Sequence, residues 1–164
     1  MTSEWGSGHG RATRTIERGG HKAEPPGQYC IISYRMLKRF RQWFQLKETL
    51  HDSEHRPPFV SERDLWWASI GENVGSEMNG KSNRFSRPVL ILKKLAHGFY
   101  LVAPTTTQQR EGSWYVHVRM QDQDEYVCLN QMRTIDYRRL SSKLGQIDTD
   151  DFKNVQDGFH RLYL

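Results

Sequence analysis

The feature that most constrains the fold is a series of short β-type segments between residues 63 and 147, followed by one helical segment. The segment SWYVHVRM (113–120) alternates between apolar and polar residues, which predicts a strand with Trp114, Val116, Val118 and Met120 buried. The segment RDLWWASIG (63–71) has apolar residues on both faces, which predicts a strand covered on both sides. Further strands are predicted at 87–95, 99–104, 125–136 and 143–147. Short strands joined by short turns and followed by a helix predict a mainly β domain, a small antiparallel barrel closed by a C-terminal helix.

Helical patterns flank this β region on both sides. Residues 34–52 carry apolar side chains at helical spacing with Arg and Lys between them, which predicts an amphipathic helix. Such a helix can lie on its own domain, on a partner or on a membrane surface, and of these we expect docking on its own domain. Asp148 or Thr149 is predicted to cap the C-terminal helix. The first residues are rich in Gly, Ser, Arg and Pro, so we predict a disordered segment at 1–33, a helix with its connector at 34–62, and the barrel domain at 63–164.

The composition restricts the classes of function. The 164 residues have a formal net charge of +5 and a pI near 9.3, which is compatible with a polyanionic partner. Two cysteines form neither a disulfide framework nor a zinc site, and they fit a reducing cytoplasm. No segment is long and apolar enough to span a membrane, and the N-terminus lacks the apolar stretch of a signal peptide. These features predict a cytoplasmic protein that binds no membrane.

Four motifs in a fixed order carry a family resemblance. They are DLWWASIGENVGSEMNGK…RPVLILKK, YLVAPTTTQ, VCLNQMRTIDYRRL and LGQIDTDDF. Together they resemble the MazF/PemK family, the toxins of type II toxin–antitoxin systems. The resemblance covers residues 63–164, and the helix before RPPF resembles an N-terminal extension found in one branch of the family.

The resemblance implies a fold, an activity and a set of partners. The fold would be an SH3-like barrel that forms homodimers, and a cognate antitoxin would neutralise the protein. The activity would be sequence-specific cleavage of single-stranded RNA, such as messenger RNA, with no metal and no cofactor. The family motifs place the catalytic residues at Arg87, Thr106 and Glu77. Two departures are an Asn at position 130, where the family has Asp, and a longer loop at 81–86.

The residue types at these positions suit metal-free RNA cleavage. In that reaction the 2′-hydroxyl of the substrate attacks the neighbouring phosphorus, and negative charge develops on the phosphate oxygens. Arg87 can grip a phosphate with two parallel hydrogen bonds, and the Thr106 hydroxyl can donate a further one. Arg87 is a poor base because it keeps its proton. Glu77 and His117 are the candidates for that role, and the sequence leaves the choice open.

Residues that would bind the rest of the RNA are expected around this pair. Cationic side chains contact phosphates, whereas amide side chains read base edges. The candidates are Lys81, Arg84, Gln108, Asn130, Gln131 and Arg133.

Two other classes of function fit the sequence less well. One is a gyrase-poisoning toxin of the CcdB type, which shares the fold without cutting RNA. The other is a non-catalytic RNA-binding module, which requires that the departures from the family have disabled the site. The pairing of Arg87 with Thr106 favours the endoribonuclease.

Overall fold

A computed structural model describes residues 27–164, so residues 1–26 of the predicted disordered segment lie outside the described residues. The elements in chain order are α1 (Gly27–Asp52), β1 (Asp64–Ser69), β2 (Ser86–Ala96), β3 (Phe99–Thr106), β4 (Tyr115–Met120), β5 (Gln123–Cys128), β6 (Arg133–Asp136), β7 (Leu140–Gln146) and α2 (Thr149–Tyr163). Short 3-10 helices lie at Leu129–Gln131 and Tyr137–Arg139. No helix in the described part of the chain is both long and apolar enough to cross a bilayer.

The strands form one antiparallel sheet in the order β4-β5-β3-β2-β1-β7. Strand β3 pairs with β2 along one edge. Along its second edge, its first half pairs with β6 and its last two residues pair with β5. The prediction of a mainly β domain with antiparallel strands and a C-terminal helix is confirmed. Within residues 27–164 the end strands β4 and β7 do not pair, so backbone hydrogen bonds do not close the sheet into the predicted barrel.

Two apolar cores occupy the two faces of this sheet. The first contains Leu65, Leu90, Ala103, Val118 and Val127, and α2 adds Phe152 and Val155. The second contains Trp66, Ala68, Val89, Ile91, Val102 and Ile135. Strand β1 therefore buries both faces, as its sequence predicts, and both covers come from the same chain. A second copy of the chain is therefore not needed to cover either face of β1.

The predicted strand 125–136 is in fact two strands. The 3-10 helix at Leu129–Gln131 separates β5 from β6, and it redirects the chain from one half of β3 to the other. Strand β4 also starts later than predicted, and Trp114, expected in the core, is 41% exposed. Asp148 caps α2 as predicted, since its carboxylate accepts a hydrogen bond from the Asp151 N–H at 2.7 Å.

Helix α1 begins at Gly27, seven residues before the predicted start at Tyr34. Pro25 and Pro26 immediately precede this start, and proline cannot continue a helix in the N-terminal direction without losing a hydrogen bond. The helix docks on its own domain through Trp43, which is 8% exposed and packs against the Phe85 ring and Gly71. Arg39 adds an ion pair to Glu72 at 2.7 Å.

We expect Trp43→Ala to lower the free energy of unfolding by about 3 kcal/mol, because it removes a buried indole and leaves a cavity beside Gly71. The neighbouring Phe44 is 60% exposed, so Phe44→Ala is a matched control that should cost under about 1 kcal/mol. Urea unfolding of the full chain, followed by far-ultraviolet circular dichroism, measures the free energy of unfolding of both variants. Equal losses for the two variants would show that α1 is not anchored through Trp43.

Candidate active site

The sheet register places four polar side chains in one transverse row. Thr106 of β3 faces Tyr126 of β5, and Tyr126 faces His117 of β4. On the other side, the β2–β3 pairing ends at Val89–Pro104, and Arg87 and Thr106 each lie two residues beyond that pair, on the same face of the sheet. Residues that lie directly opposite in antiparallel strands share a face. We call Arg87, Thr106, Tyr126 and His117 the site row.

Arg87 is half-buried at the edge of the second core, on the strand face that carries Val89. Its Nε–H donates to the Asn79 carbonyl in the loop between β1 and β2. Among the side chains that the structure describes, no carboxylate forms an ion pair with Arg87, and both terminal nitrogens are free of hydrogen bonds. Burial lowers the pKa of Arg87 below its usual value, but a guanidinium keeps its proton at neutral pH. The Asn79 carbonyl therefore fixes the Nε edge of the Arg87 guanidinium, and the two terminal nitrogens are left to bind an anion.

Thr106 has a hydroxyl whose direction is set by the backbone. Its Oγ1 accepts a hydrogen bond from the Gln108 N–H at 3.2 Å. A hydroxyl has two lone pairs and one proton, and this bond uses only a lone pair. The Thr106 hydroxyl proton is therefore still available for donation to a ligand. The Gln108 side chain itself accepts a hydrogen bond from Arg110 at 2.8 Å. Thr106 is thus a pre-oriented neutral donor in the row that also holds Arg87.

The flanking threonines differ from Thr106. Thr105 faces Val127 and is fully buried on the opposite side of the sheet, and its Oγ1 has no hydrogen-bond partner. Thr107 is exposed beyond the end of β3. The alternation of the strand therefore selects one hydroxyl of three for the site row.

Gln131 holds the loop between β1 and β2 in place. Its Oε1 accepts from the Met78 N–H at 2.9 Å, and its Nε2 donates to the Ser76 carbonyl at 3.3 Å. Both ends of the amide are occupied, so Gln131 acts here on the loop rather than presenting a free edge to a base. Glu77, in the same loop, is exposed and accepts a hydrogen bond from the Val74 N–H at 3.1 Å.

The structure does not gather the predicted cations into one groove. Arg133 donates to the Ile70 carbonyl at 2.9 Å, where the loop starts. Lys81 and Arg84 line a separate groove with Trp67 and Ser86. Trp67 and Ser86 alternate with Ala68 and Arg87 along their strands, so this groove lies on the sheet face opposite Arg87. Asn130 is exposed in the 3-10 helix before β6.

The cross-strand partners Tyr126 and Asp124 were not identified from sequence. His117 Nε2 lies 2.8 Å from Asp124 Oδ1, and the His117 and Tyr126 rings are 5.3 Å apart. The signal that would have found them is the two-residue turn Gln121–Asp122, which pairs Met120 with Gln123 and so fixes the register of the hairpin.

Two buried titratable groups lie near the row without joining it. Cys128 is buried, and burial raises the pKa of its thiol to about 11 although Arg87 acts in the opposite direction. Glu125 is 4% exposed and faces Val118 in the first core, away from the row. Burial raises the pKa of Glu125 above its usual value, against smaller effects of the Thr105 hydroxyl and Lys81.

Comparison of the sequence with known protein families gives a match that covers the β domain. Residues 61–163 match the profile of the PemK-like, MazF-like toxins of type II toxin-antitoxin systems. The helix α1 lies before this match. A curated relative, Endoribonuclease EndoA of Bacillus subtilis (strain 168), is 29% identical over 108 residues, which span 60% of this chain and 89% of the relative.

Solved structures share the fold of the matched region. A crystal structure of MazF from Deinococcus radiodurans covers 64% of this chain and 97% of its own, with a TM-score of 0.54 and 21% identity. A mycobacterial endoribonuclease in complex with its cognate antitoxin covers 63% of this chain and 93% of its own, with a TM-score of 0.50 and 15% identity. At these identities the two structures support the fold alone.

Proposed function

The chain belongs to the PemK-like, MazF-like toxin family of type II toxin-antitoxin systems, and from this premise we propose that it cleaves single-stranded RNA at specific sequences without a metal. The observation that carries the proposal is that Arg87 and Thr106, on the motifs that the family resemblance selects, lie on one face of the sheet, each two residues beyond the last pair of β2 and β3. A relative 29% identical is named as an endoribonuclease, which agrees with this activity.

The scissile phosphate binds between Arg87 and Thr106. The two free terminal nitrogens of Arg87 match two phosphate oxygens, and the Thr106 hydroxyl donates to one of them. As the 2′-oxygen attacks phosphorus, charge grows on those oxygens, and both donors are already oriented toward it. The Asn79 carbonyl and the Gln108 N–H supply that orientation before the substrate arrives.

Gln131 supports the site indirectly. By binding Met78 and Ser76 it fixes the loop whose Asn79 carbonyl positions Arg87. We propose this positioning role for Gln131 in place of base reading. Lys81 and Arg84 remain candidates for phosphate contacts at a distance from the cleaved bond, on the other face of the sheet.

A cognate antitoxin protein neutralises the activity, in keeping with the type II toxin family. We also propose, from the family resemblance, that the β domain adopts an SH3-like barrel and acts as a homodimer. Because messenger RNA is the substrate, the protein acts in the cytoplasm.

The proposal predicts cleavage that depends on the 2′-hydroxyl and not on divalent ions. Purified full-length protein incubated with a mixed-sequence single-stranded RNA pool should cut it with and without EDTA, leaving 2′,3′-cyclic phosphate and 5′-hydroxyl ends. A DNA pool of the same sequences should stay intact, because it lacks the nucleophile. Loss of RNA cleavage in EDTA would contradict the metal-free mechanism. Intact RNA combined with inhibition of gyrase would favour the CcdB-type function.

A further inference from the structure

His117 occupies the end of the site row that lies across Tyr126 from Thr106. Two strand spacings separate Thr106 from His117, which is about 9–10 Å between the backbones. The threonine and histidine side chains stand on the same face, with Tyr126 between them. A nucleotide that runs along the site row from a phosphate at Arg87 and Thr106 places its sugar on the side of the imidazole.

The carboxylate of Asp124 fixes the state of the imidazole. Asp124 Oδ1 lies 2.8 Å from His117 Nε2, and an ionised carboxylate only accepts hydrogen bonds. The neutral ring therefore carries its proton on Nε2 and keeps a lone pair on Nδ1. The ring is half-exposed, so this lone pair is open to a substrate.

Few other charged groups face this histidine. Arg119, on the same strand, places its Nε 3.7 Å from the same Asp124 oxygen. From β5 the ring meets Asp124 and Tyr126, and Tyr115 precedes it on its own face of β4. Asp151 of α2 is engaged with the backbone N–H of Arg119 at 2.6 Å.

We propose that His117 is the general base of the RNA cleavage and that Asp124 is its positioning residue, an inference that rests on the proposed function. His117 Nδ1 takes the proton of the substrate 2′-hydroxyl while the 2′-oxygen forms its bond to phosphorus. The bond from phosphorus to the 5′-oxygen breaks, and that oxygen takes a proton from water. The imidazolium then returns its proton to solvent, so protons and electrons balance over the turnover.

The other candidates are placed less well for this step. The Glu77 carboxylate is in a hydrogen bond to Val74 in an exposed loop. The Glu125 carboxylate faces the first core, on the opposite side of the sheet from Thr106. The Cys128 thiol is fully buried, and its raised pKa of about 11 keeps it neutral near pH 7.

The test compares His117→Ala with His97→Ala, a control that removes an exposed histidine from the turn between β2 and β3. We expect His117→Ala to lower kcat about 10²–10⁴-fold, the usual contribution of a general base, and His97→Ala to leave it unchanged. Added imidazole should restore part of the activity of His117→Ala in a saturable way. The acidic limb of the kcat/KM profile that a general base produces should disappear in the variant.

Binding must be measured separately from catalysis. An RNA oligonucleotide carrying the mapped cleavage site, with a 2′-deoxy sugar at the scissile nucleotide, should bind wild type and His117→Ala with affinities within about threefold, since the base acts on the reacting proton. Asp124→Asn should reduce kcat without imidazole rescue, because the ring is still present but its tautomer is no longer set.

The outcomes separate the two proposals. If the wild-type protein cuts no RNA, the proposed function fails. If the wild-type protein cuts RNA and His117→Ala cuts it at the same rate with the same pH profile, only the role of His117 is overturned. A loss of activity that imidazole does not rescue, together with weakened binding of the 2′-deoxy oligonucleotide, would also overturn it and assign His117 to substrate binding.

Discussion

Arg87→Ala should abolish RNA cleavage almost completely, with a loss of at least about 10³ in kcat. Arg87 is the arginine of the site row, and within the described residues its terminal nitrogens have no hydrogen-bond partner. Hydrogen bonds from a charged donor are about twice as strong as neutral ones, so this loss should exceed that of any neutral donor at the site. Single-turnover cleavage of an end-labelled RNA oligonucleotide measures it.

Two companion variants distinguish geometry from charge. Arg87→Lys keeps the charge but not the planar fork, and we expect it to recover only a small part of the rate. Arg41→Ala removes an exposed arginine from α1 and should leave the rate unchanged. Full activity of Arg87→Ala would remove the basis of the mechanism, whereas equal losses for Arg87→Ala and Arg41→Ala would point to general electrostatic attraction of RNA.

The sequence predicted most elements of the β domain because their patterns are local. Strand β4 alternates residue by residue between apolar and polar side chains, and β1 is apolar on both faces. The residue pattern within each strand is therefore enough to predict which of its faces are buried. The error at 125–136 has a non-local cause. The run is uniformly β-forming, but β3 offers its edge to β5 and to β6 at different positions, and the chain must turn at Leu129–Gln131 to reach both.

The start of α1 was misplaced because the residues after Gly27 include an apolar run, Tyr29–Ile32, that does not keep a helical period. The proline pair before it was the better signal for the boundary. The docking of this helix was expected, but the anchoring residue was not singled out. Trp43 and Phe44 are adjacent in sequence, and only the position of Gly71 decides which ring is buried.

The candidate site combines local and non-local features in the same way. Arg87 and Thr106 lie in short motifs, which the sequence shows directly. The alignment of Tyr126 and His117 with them depends on two cross-strand registers, and a slip of one residue in either would turn His117 to the other face. Gln131 was assigned to RNA because of its residue type, whereas its two bonds to the loop depend on a contact across more than fifty positions of the chain.

Thr106→Val should lower kcat about 10²–10³-fold, because it replaces the donating hydroxyl with a methyl group of similar shape. Thr106→Ala should lose a similar amount, whereas Thr106→Ser should stay within about tenfold of wild type because it retains both the donor and the acceptor for the Gln108 N–H. The same single-turnover assay measures all three. The double variant Arg87→Ala with Thr106→Ala should be little worse than Arg87→Ala alone, since both donors act on one phosphate and their effects are not additive.

The neighbouring threonines supply the matched controls for this prediction. Thr105→Val should leave the rate unchanged, because the buried Thr105 side chain lies on the sheet face opposite Thr106. Thr107→Val, at an exposed position beyond the end of β3, should also be near wild type. If all three valine variants lost activity equally, the loss would reflect a general effect on the end of β3 and not the removal of one donor to the substrate. The side-chain alternation that singles out Thr106 would then not govern the chemistry.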